Sequence, residues 1–410
     1  MKRRSWTVAG SGCATLFLLL VVGGMCWWQY VSYVPPIPPQ WTMPKQNARD
    51  DFLTALQLLP GGTLDPLGGS RPALLRAVQR AAPALERLRL GLRHEYANPP
   101  LLTDKDQFEV TFEQTWRFHG LAEALHAETE LARREGRTDD ALRSGLDAVK
   151  MGQMIQRKAD EAAAATGLEI EDGGLEHVER IVDAAGVESA ARAALQVWRL
   201  DVEAASYSEV LAAIGDSRLR SFARHLQDAT PGAVLMALAH WPGGTPSASD
   251  VAVQIEFAVT PRRKMLENYR RYLEAASVRE RRPYYARGTP PPPPNTGWDM
   301  VMTFRDEERV PWAAQQARRR LLATRLALRA YRLREGHPPT SLGALVPKYL
   351  PAVPQDPFAP LPLVYRVEKG KVLLYSRGPD SDDDGGRDLI DEIEPDADGD
   401  LPASHWMGTE

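Results

Sequence analysis

The sequence predicts a mainly α-helical fold in three parts: an N-terminal transmembrane helix, an irregular α-helical domain and a small C-terminal α+β module. Three observations carry that reading. An uncharged apolar run follows three basic residues at the N-terminus. Apolar residues recur at three- and four-residue spacing through the middle of the chain, and a β-hairpin pattern runs into an Asp-rich loop near the end. The 410 residues leave room for two or three domains, and 25% charged with 43% hydrophobic residues is an ordinary folded composition. A net charge of -4 excludes a general nucleic-acid binder, which carries a basic surplus.

The anchor comes first. Residues 1–4 form a basic flank of Lys2, Arg3 and Arg4, and no charge follows from Ser5 until Lys45. Roughly 20 apolar residues suffice for a helix to cross the hydrocarbon core. Residues 5–33 meet that length, with Trp27, Trp28, Tyr30 and Tyr33 as an aromatic belt at the far interface. Basic residues on one flank only place the N-terminus in the cytoplasm. A cleaved signal peptide is the rival reading, but "MCWWQYV" is too bulky for a small-x-small cleavage site. The two cysteines, Cys13 and Cys26, both fall in this segment, and Met25 breaks a lipoprotein pattern at Cys26. The rest of the chain therefore has no disulfide framework and no thiolate metal site. The expected localisation is the cytoplasmic (inner) membrane, single-pass, with the bulk of the chain outside the cytoplasm.

Residues 34–46, with "VPPIPPQW", read as an extended Pro-rich stalk. Residues 47–282 carry the helical periodicity of the α-helical domain. In it Gly61-Gly62, Gly68-Gly69, Gly173-Gly174 and Gly243-Gly244 read as inter-helix loops. "LARREGRTDDALRSGLDAVKMGQMI" reads as two helices about a turn at Gly136, with Thr138 or Asp139 capping the second. No second copy recurs at a 34-residue period, so the domain is an irregular array and not a tetratricopeptide solenoid.

No catalytic constellation emerges. His94-Glu95 lacks the second His of a zinc-protease helix. His119 and His126 share a helix face but do not by themselves make a metal site. Glu169, Glu171, Asp172, Glu176 and His177 gather around Gly173-Gly174, where a solvated loop explains them better than acid–base chemistry. No nucleophile elbow or phosphate loop is present. The chain reads as non-catalytic.

Residues 283–298 form a second Pro-rich segment containing "PPPPP", either an inter-domain spacer or a docking site for a partner that grips polyproline. A basic helix follows. Its Leu321, Leu322, Leu326, Leu328, Tyr331 and Leu333 make an apolar stripe, and Arg318, Arg319, Arg320, Arg325, Arg329, Arg332 and Arg334 read as a solvated face. The C-terminal module spans 299–395. Gly336 stops the helix and Pro338-Pro339 prevents its continuation. Leu342, Leu345, Val346 and Tyr349 are the apolar face of a short helix, and Asp356-Pro357-Phe358 is a turn that seats an aromatic ring. Val364, Val367, Val372, Leu374 and Tyr375 supply a hairpin with Gly370 in its turn.

Next comes "SRGPDSDDDGGRDLID". Asp380, Asp382 and Asp384 alternate, Gly385 follows, and Asp388 and Asp391 stand at the ninth and twelfth positions, the ligand spacing of an EF-hand-type loop. Asp at the twelfth position in place of Glu, and Arg387 in place of an apolar residue, depart from that pattern. Asp396, Asp398, Gly399 and Asp400 form a shorter echo in an acidic tail, 396–410.

From Leu321 to Asp391, the run "AYRLREGHPP", "SLGALVPKYL", "PQDPFAPLPLVY", the hairpin and "SRGPD…GG…D" resembles, in order and spacing, the C-terminal domain of the type II secretion system major pseudopilin. The resemblance implies an α+β module whose loop binds Ca2+, with Asp380 and Asp388 as ligands and the Arg377 carbonyl as a third. The N-terminus departs from the family. "GSGCATLFLLL" lacks both the Phe after the cleavage-site Gly and the Glu that guides pilin assembly. Three function classes follow. The leading one is a membrane-anchored structural or interaction protein with envelope or secretion-system partners and no nucleic acid. The others are an atypical, processed minor pilin and an enzyme with a site around Glu169 to His177.

Overall fold

A computed structural model describes residues 5–38, 41–60, 69–99, 113–228, 256, 259–294, 303–368, 371–389 and 393–403. Among the described residues the regular structure is ten α-helices, four short 3-10 helices and one three-stranded sheet, in keeping with the helical periodicity and the hairpin pattern. The chain forms two compact units. One comprises Met1–Pro39, Asp216–Ala275 and Pro291–Thr303, and the other Gln40–Gly215, Ala276–Pro290 and Phe304–Glu410.

In the first unit, α1 (Ser5–Ser32) exposes Phe17, Leu18, Leu19, Leu20, Val21 and Val22 in succession. Among the described residues no helix is long and apolar enough to cross a membrane, and the side chains of α1 are described only from Phe17 onward. The transmembrane reading thus gains no support from the described residues. The Pro-rich stretch after α1 is no unattached stalk. Arg220, itself paired with Asp216 at 2.8 Å, donates to the carbonyls of Ile37 (3.0 Å) and Pro38 (2.5 Å). Pro38 carries no amide proton of its own, but its carbonyl remains a strong acceptor, and a guanidinium fork meets two successive ones.

The second unit contains α2 (Ala48–Leu58), α3 (Arg71–Gly91), α4 (Phe118–Arg134), α5 (Thr138–Ile155), α6 (Glu161–Glu179), α7 (Val187–Glu203) and α10 (Val310–Glu335). Helices α8 (Tyr207–Asp228) and α9 (Arg262–Glu280) contribute residues to both units. Asn47 caps α2 through its side chain, which accepts from the Arg49 amide, and Asp160 caps α6 by accepting from the Ala163 amide at 2.8 Å. The turn before α5 does use Gly136, but its N-cap is Arg137 and neither Thr138 nor Asp139 caps it.

The Gly173-Gly174 pair corrects the sequence reading. It lies inside α6, where a Cβ on Gly174 would stand 2.7 Å from the Val149 amide nitrogen. About one turn later along α5, a Cβ on Gly152 would meet the backbone of Gly167 and Glu171 at 2.5 Å. Glycine here lets two helix backbones touch, which offsets its poor helix propensity. Gly69 adjoins the start of α3, while Gly61-Gly62, Gly68 and Gly243-Gly244 lie outside the described residues.

The C-terminal residues share a core with the helices and do not form a separate module. Val149, Val178, Ala190, Ala194 and Val197 pack in one buried cluster with Leu326, Leu345, Leu350, Leu374 and Ala403. Gly336 ends α10 in the left-handed conformation at φ 80, as expected. Strands β1 (Val364–Glu368) and β2 (Lys371–Ser376) pair antiparallel with Val367 opposite Val372. The hairpin turn at Gly370 is outside the described residues. A third strand, β3 (Leu401–Pro402), pairs with β2 and takes part of the expected acidic tail into the sheet. Phe358 is fully buried and meets Tyr284 edge-on at 4.9 Å. That contact packs the first residues of the 283–298 segment against the C-terminal residues, so they are no free spacer; 295–298 are outside the described residues.

Candidate functional site

The Asp-rich loop leaves β2 at Ser376 and returns through β3. Its base is fixed by Asp356, whose buried carboxylate accepts from Ser376 Oγ (2.6 Å), the Arg377 amide (2.8 Å) and the Phe358 amide (3.0 Å). Burial pushes the Asp356 carboxyl up, and these donors oppose the shift. At Gly378, φ is 74 and a Cβ would stand 2.2 Å from the Gly399 carbonyl, so the loop and the returning strand close only around glycine.

Alternation then sorts the carboxylates. Asp383 turns back to the sheet, bonding the Tyr375 hydroxyl and Arg366 (2.9 Å), and the Tyr375 bond holds its carboxyl below the usual range. Asp380, Asp382 and Asp384 present carboxylate oxygens that all lie within 4.8 Å of one another. Asp380 pushes the Asp382 carboxyl up, the direction expected where like charges crowd and no cation is counted. Arg387 clamps the side of the loop, reaching Asp384 and Asp398 at 2.6 Å each.

Of the other expected ligands, Asp388 pairs through its backbone with Asp400 and stands apart from the three-carboxylate group. Arg377 is tied to Asp356 by its amide, with its guanidinium 3.7 Å from the same carboxylate. Asp391 lies outside the described residues. Asp400, read from sequence only as part of a tail, is fully buried behind the loop. The Gly386 amide donates to its Oδ2 at 2.6 Å, and the Asp384 amide lies beside the same carboxylate. Burial pushes its carboxyl up to about 6. Oδ1 of Asp400 and Oδ2 of Asp384 are both buried without a hydrogen-bond partner. A buried carboxylate oxygen in that state has lost hydration with nothing in return. The donor set is all oxygen, the chemistry of a hard cation such as Ca2+ or Mg2+. The only sequence signal for Asp400 was the short echo of the loop's alternation.

The Glu169–His177 segment has a different character. Its groups are bound within the protein, most of them to neighbouring helices and Glu176 and His177 along α6 itself. Glu171, fully buried, accepts from Gln153, Gln156 and Arg319 at 2.8 Å each. Asp172 pairs with Arg318, Glu176 with Arg180, and Glu169 with His119 at 3.0 Å. His126 stacks on His177 at 4.0 Å with an interplanar angle of 9°. His94 bonds Asp51 at 2.6 Å. Of the arginines of α10, Arg332 and Arg334 are exposed as a solvated face requires, but the five before them are not. Besides Arg318 and Arg319, Arg320 reaches Asp201 (2.9 Å), Arg325 reaches Glu179 (3.0 Å) and Arg329 reaches the Ala185 carbonyl (3.1 Å).

Comparison with protein-family models, with curated proteins and with solved structures finds no match for this chain.

Proposed function

We propose that this chain is a non-catalytic, membrane-anchored extracytoplasmic protein, a structural or interaction component of an envelope assembly related to type II secretion or pilus-like machinery. In this reading Ca2+ staples its pseudopilin-like C-terminal region. One observation carries the proposal: Asp380, Asp382 and Asp384 converge within 4.8 Å beside buried, unpartnered oxygens of Asp384 and Asp400. A cation there would screen three mutually repelling carboxylates and fasten the loop against β3. The anchor rests on the sequence, in which three basic residues precede an uncharged apolar run from Ser5. Location and chemistry agree, since sites of about 10⁻⁴–10⁻³ M affinity fill at extracellular calcium levels.

The test is calorimetric titration of the full chain with Ca2+, beside an Asp380→Ala/Asp384→Ala variant. Saturable binding and a raised Tm in the wild type, both lost in the variant, are expected. At 100-fold excess over Kd the ligand adds about 2.7 kcal/mol to stability. Absence of binding at millimolar Ca2+ would sink the staple. N-terminal sequencing of membrane-derived protein distinguishes an intact anchor from a processed pilin.

A further inference from the structure

The second unit contains a cavity of about 420 Å³, unconnected with the Asp-rich loop, at the junction of three chain segments. Its walls are the turn after α9 (residues 280–285), the first three turns of α10, and the loop around Asp356-Pro357, with Ser206 and Tyr207 closing one side. The volume falls in the range of about 300–1,000 Å³ that small-ligand sites occupy.

The charge lining this cavity is one-sided. Five guanidiniums border it, those of Arg281, Arg282, Arg309, Arg319 and Arg320, against the carboxylates of Glu280 and Asp356. Three of the five are spent. Arg319 is held by Glu171 and Asp201, Arg320 by Asp201, and Arg309 by Glu280 at 2.7 Å. Both carboxylates are spent as well. Glu280 also takes Arg279 at 2.7 Å, and Asp356 takes its three short hydrogen bonds. Arg281 and Arg282 remain, exposed and without an ion pair among the described residues.

Two further features have the same sign. The 26-residue helix α10 begins at the cavity, at Arg309 and Trp312, with no side-chain cap, so its positive end faces that way. Arg309 is 6% exposed, and its burial pulls the guanidinium below its ordinary value while the Glu280 carboxylate opposes that shift. Flat surfaces complete the site. The Trp312 indole and the Tyr207 ring lie 5.9 Å apart in one wall, and Tyr285 stands at another.

We infer that this cavity binds a small organic anion, a phosphate monoester or a carboxylic acid carrying a planar ring, with Arg281 and Arg282 gripping the anionic group and Trp312 packing on the ring. Arginine pairs with such groups through a planar fork of donors, and an indole face offers apolar contact at low entropic cost. This inference does not depend on the calcium proposal.

The experiment is ligand-observed NMR and calorimetry on the full chain with phenyl phosphate, benzoate, phenol and inorganic phosphate. Phenyl phosphate or benzoate is expected to bind saturably and more tightly than phenol or inorganic phosphate, and the stronger of the two assigns the anionic group. Arg281→Ala/Arg282→Ala, made at exposed positions, should weaken binding by about tenfold or more at unchanged Tm. Trp312→Leu should remove the advantage of phenyl phosphate over inorganic phosphate. The inference is overturned if none of the probes saturates at millimolar concentration, if phenol binds as well as the anions, or if the double arginine variant retains wild-type affinity.

Discussion

Acidification should destabilise this protein through one pair of stacked rings. His126 on α4 and His177 on α6 lie parallel at 4.0 Å, and Nε2 of each is buried without a hydrogen-bond partner. His177 donates from Nδ1 to the Gly173 carbonyl at 2.8 Å, which leaves its Nε2 lone pair bare. Burial first, then the His177 ring and the Arg180 guanidinium, push the His126 imidazole down from 6.5 to about 3. The folded state therefore holds fewer protons on this group than the unfolded chain throughout that window. Its contribution is fully present above the unfolded value and is lost as pH falls below it. At about 1.4 kcal/mol per unit, the fold loses about 2 kcal/mol through His126 between neutral pH and pH 5, and about 3 kcal/mol by pH 4. Urea denaturation at each pH, of the wild type and of His126→Phe, measures this. Phe keeps a flat ring against His177 and cannot take up a proton, and the titration of carboxylates is common to both proteins and cancels in the difference. The wild type should lose about 2 kcal/mol more than the variant on going to pH 5. Parallel pH dependence of the two would refute the reasoning.

Gly152→Ala should cost about 2–4 kcal/mol by thermal or urea denaturation, because the new methyl would lie 2.5 Å from backbone atoms of α6 that no rotamer change can move. Arg319→Ala leaves the buried carboxylate of Glu171 without its cation, while Arg320 still holds Asp201, and should cost about 3 kcal/mol; Arg319→Met in a Glu171→Gln background should recover part of it. Asp356→Ala removes the acceptor of three hydrogen bonds and should cost about 3 kcal/mol, with hydrogen exchange rising first at the amides of Phe358 and Arg377.

Much of this protein was legible along the chain. Gly336 ends α10, and the run containing Val364, Val367, Val372 and Leu374 forms the β1–β2 hairpin. Each of these depends on a residue's own backbone preference or on neighbours a few positions away, and that information is local. The grouping of Asp380, Asp382 and Asp384 was legible for the same reason, since they lie within five residues, although a turn with Ser381 at φ 69, and not an extended run, brings them together.

What escaped the sequence depended on partners far along the chain. Gly173-Gly174 has the composition of a loop and became helix interior because α5 approaches closely enough to exclude a Cβ. The arginines of α10 look like a solvated face until carboxylates 118 to 148 residues away are brought beside them. Asp400 looks like tail until β3 pairs with β2 and buries it behind the loop. The sequence by itself determined the helices, the hairpin and the carboxylate row. Only the tertiary structure decided which charges were neutralised and which carboxylate oxygens were buried without a hydrogen-bond partner among the described residues, because the energy of a charge is set by what surrounds it and not by its place in the chain.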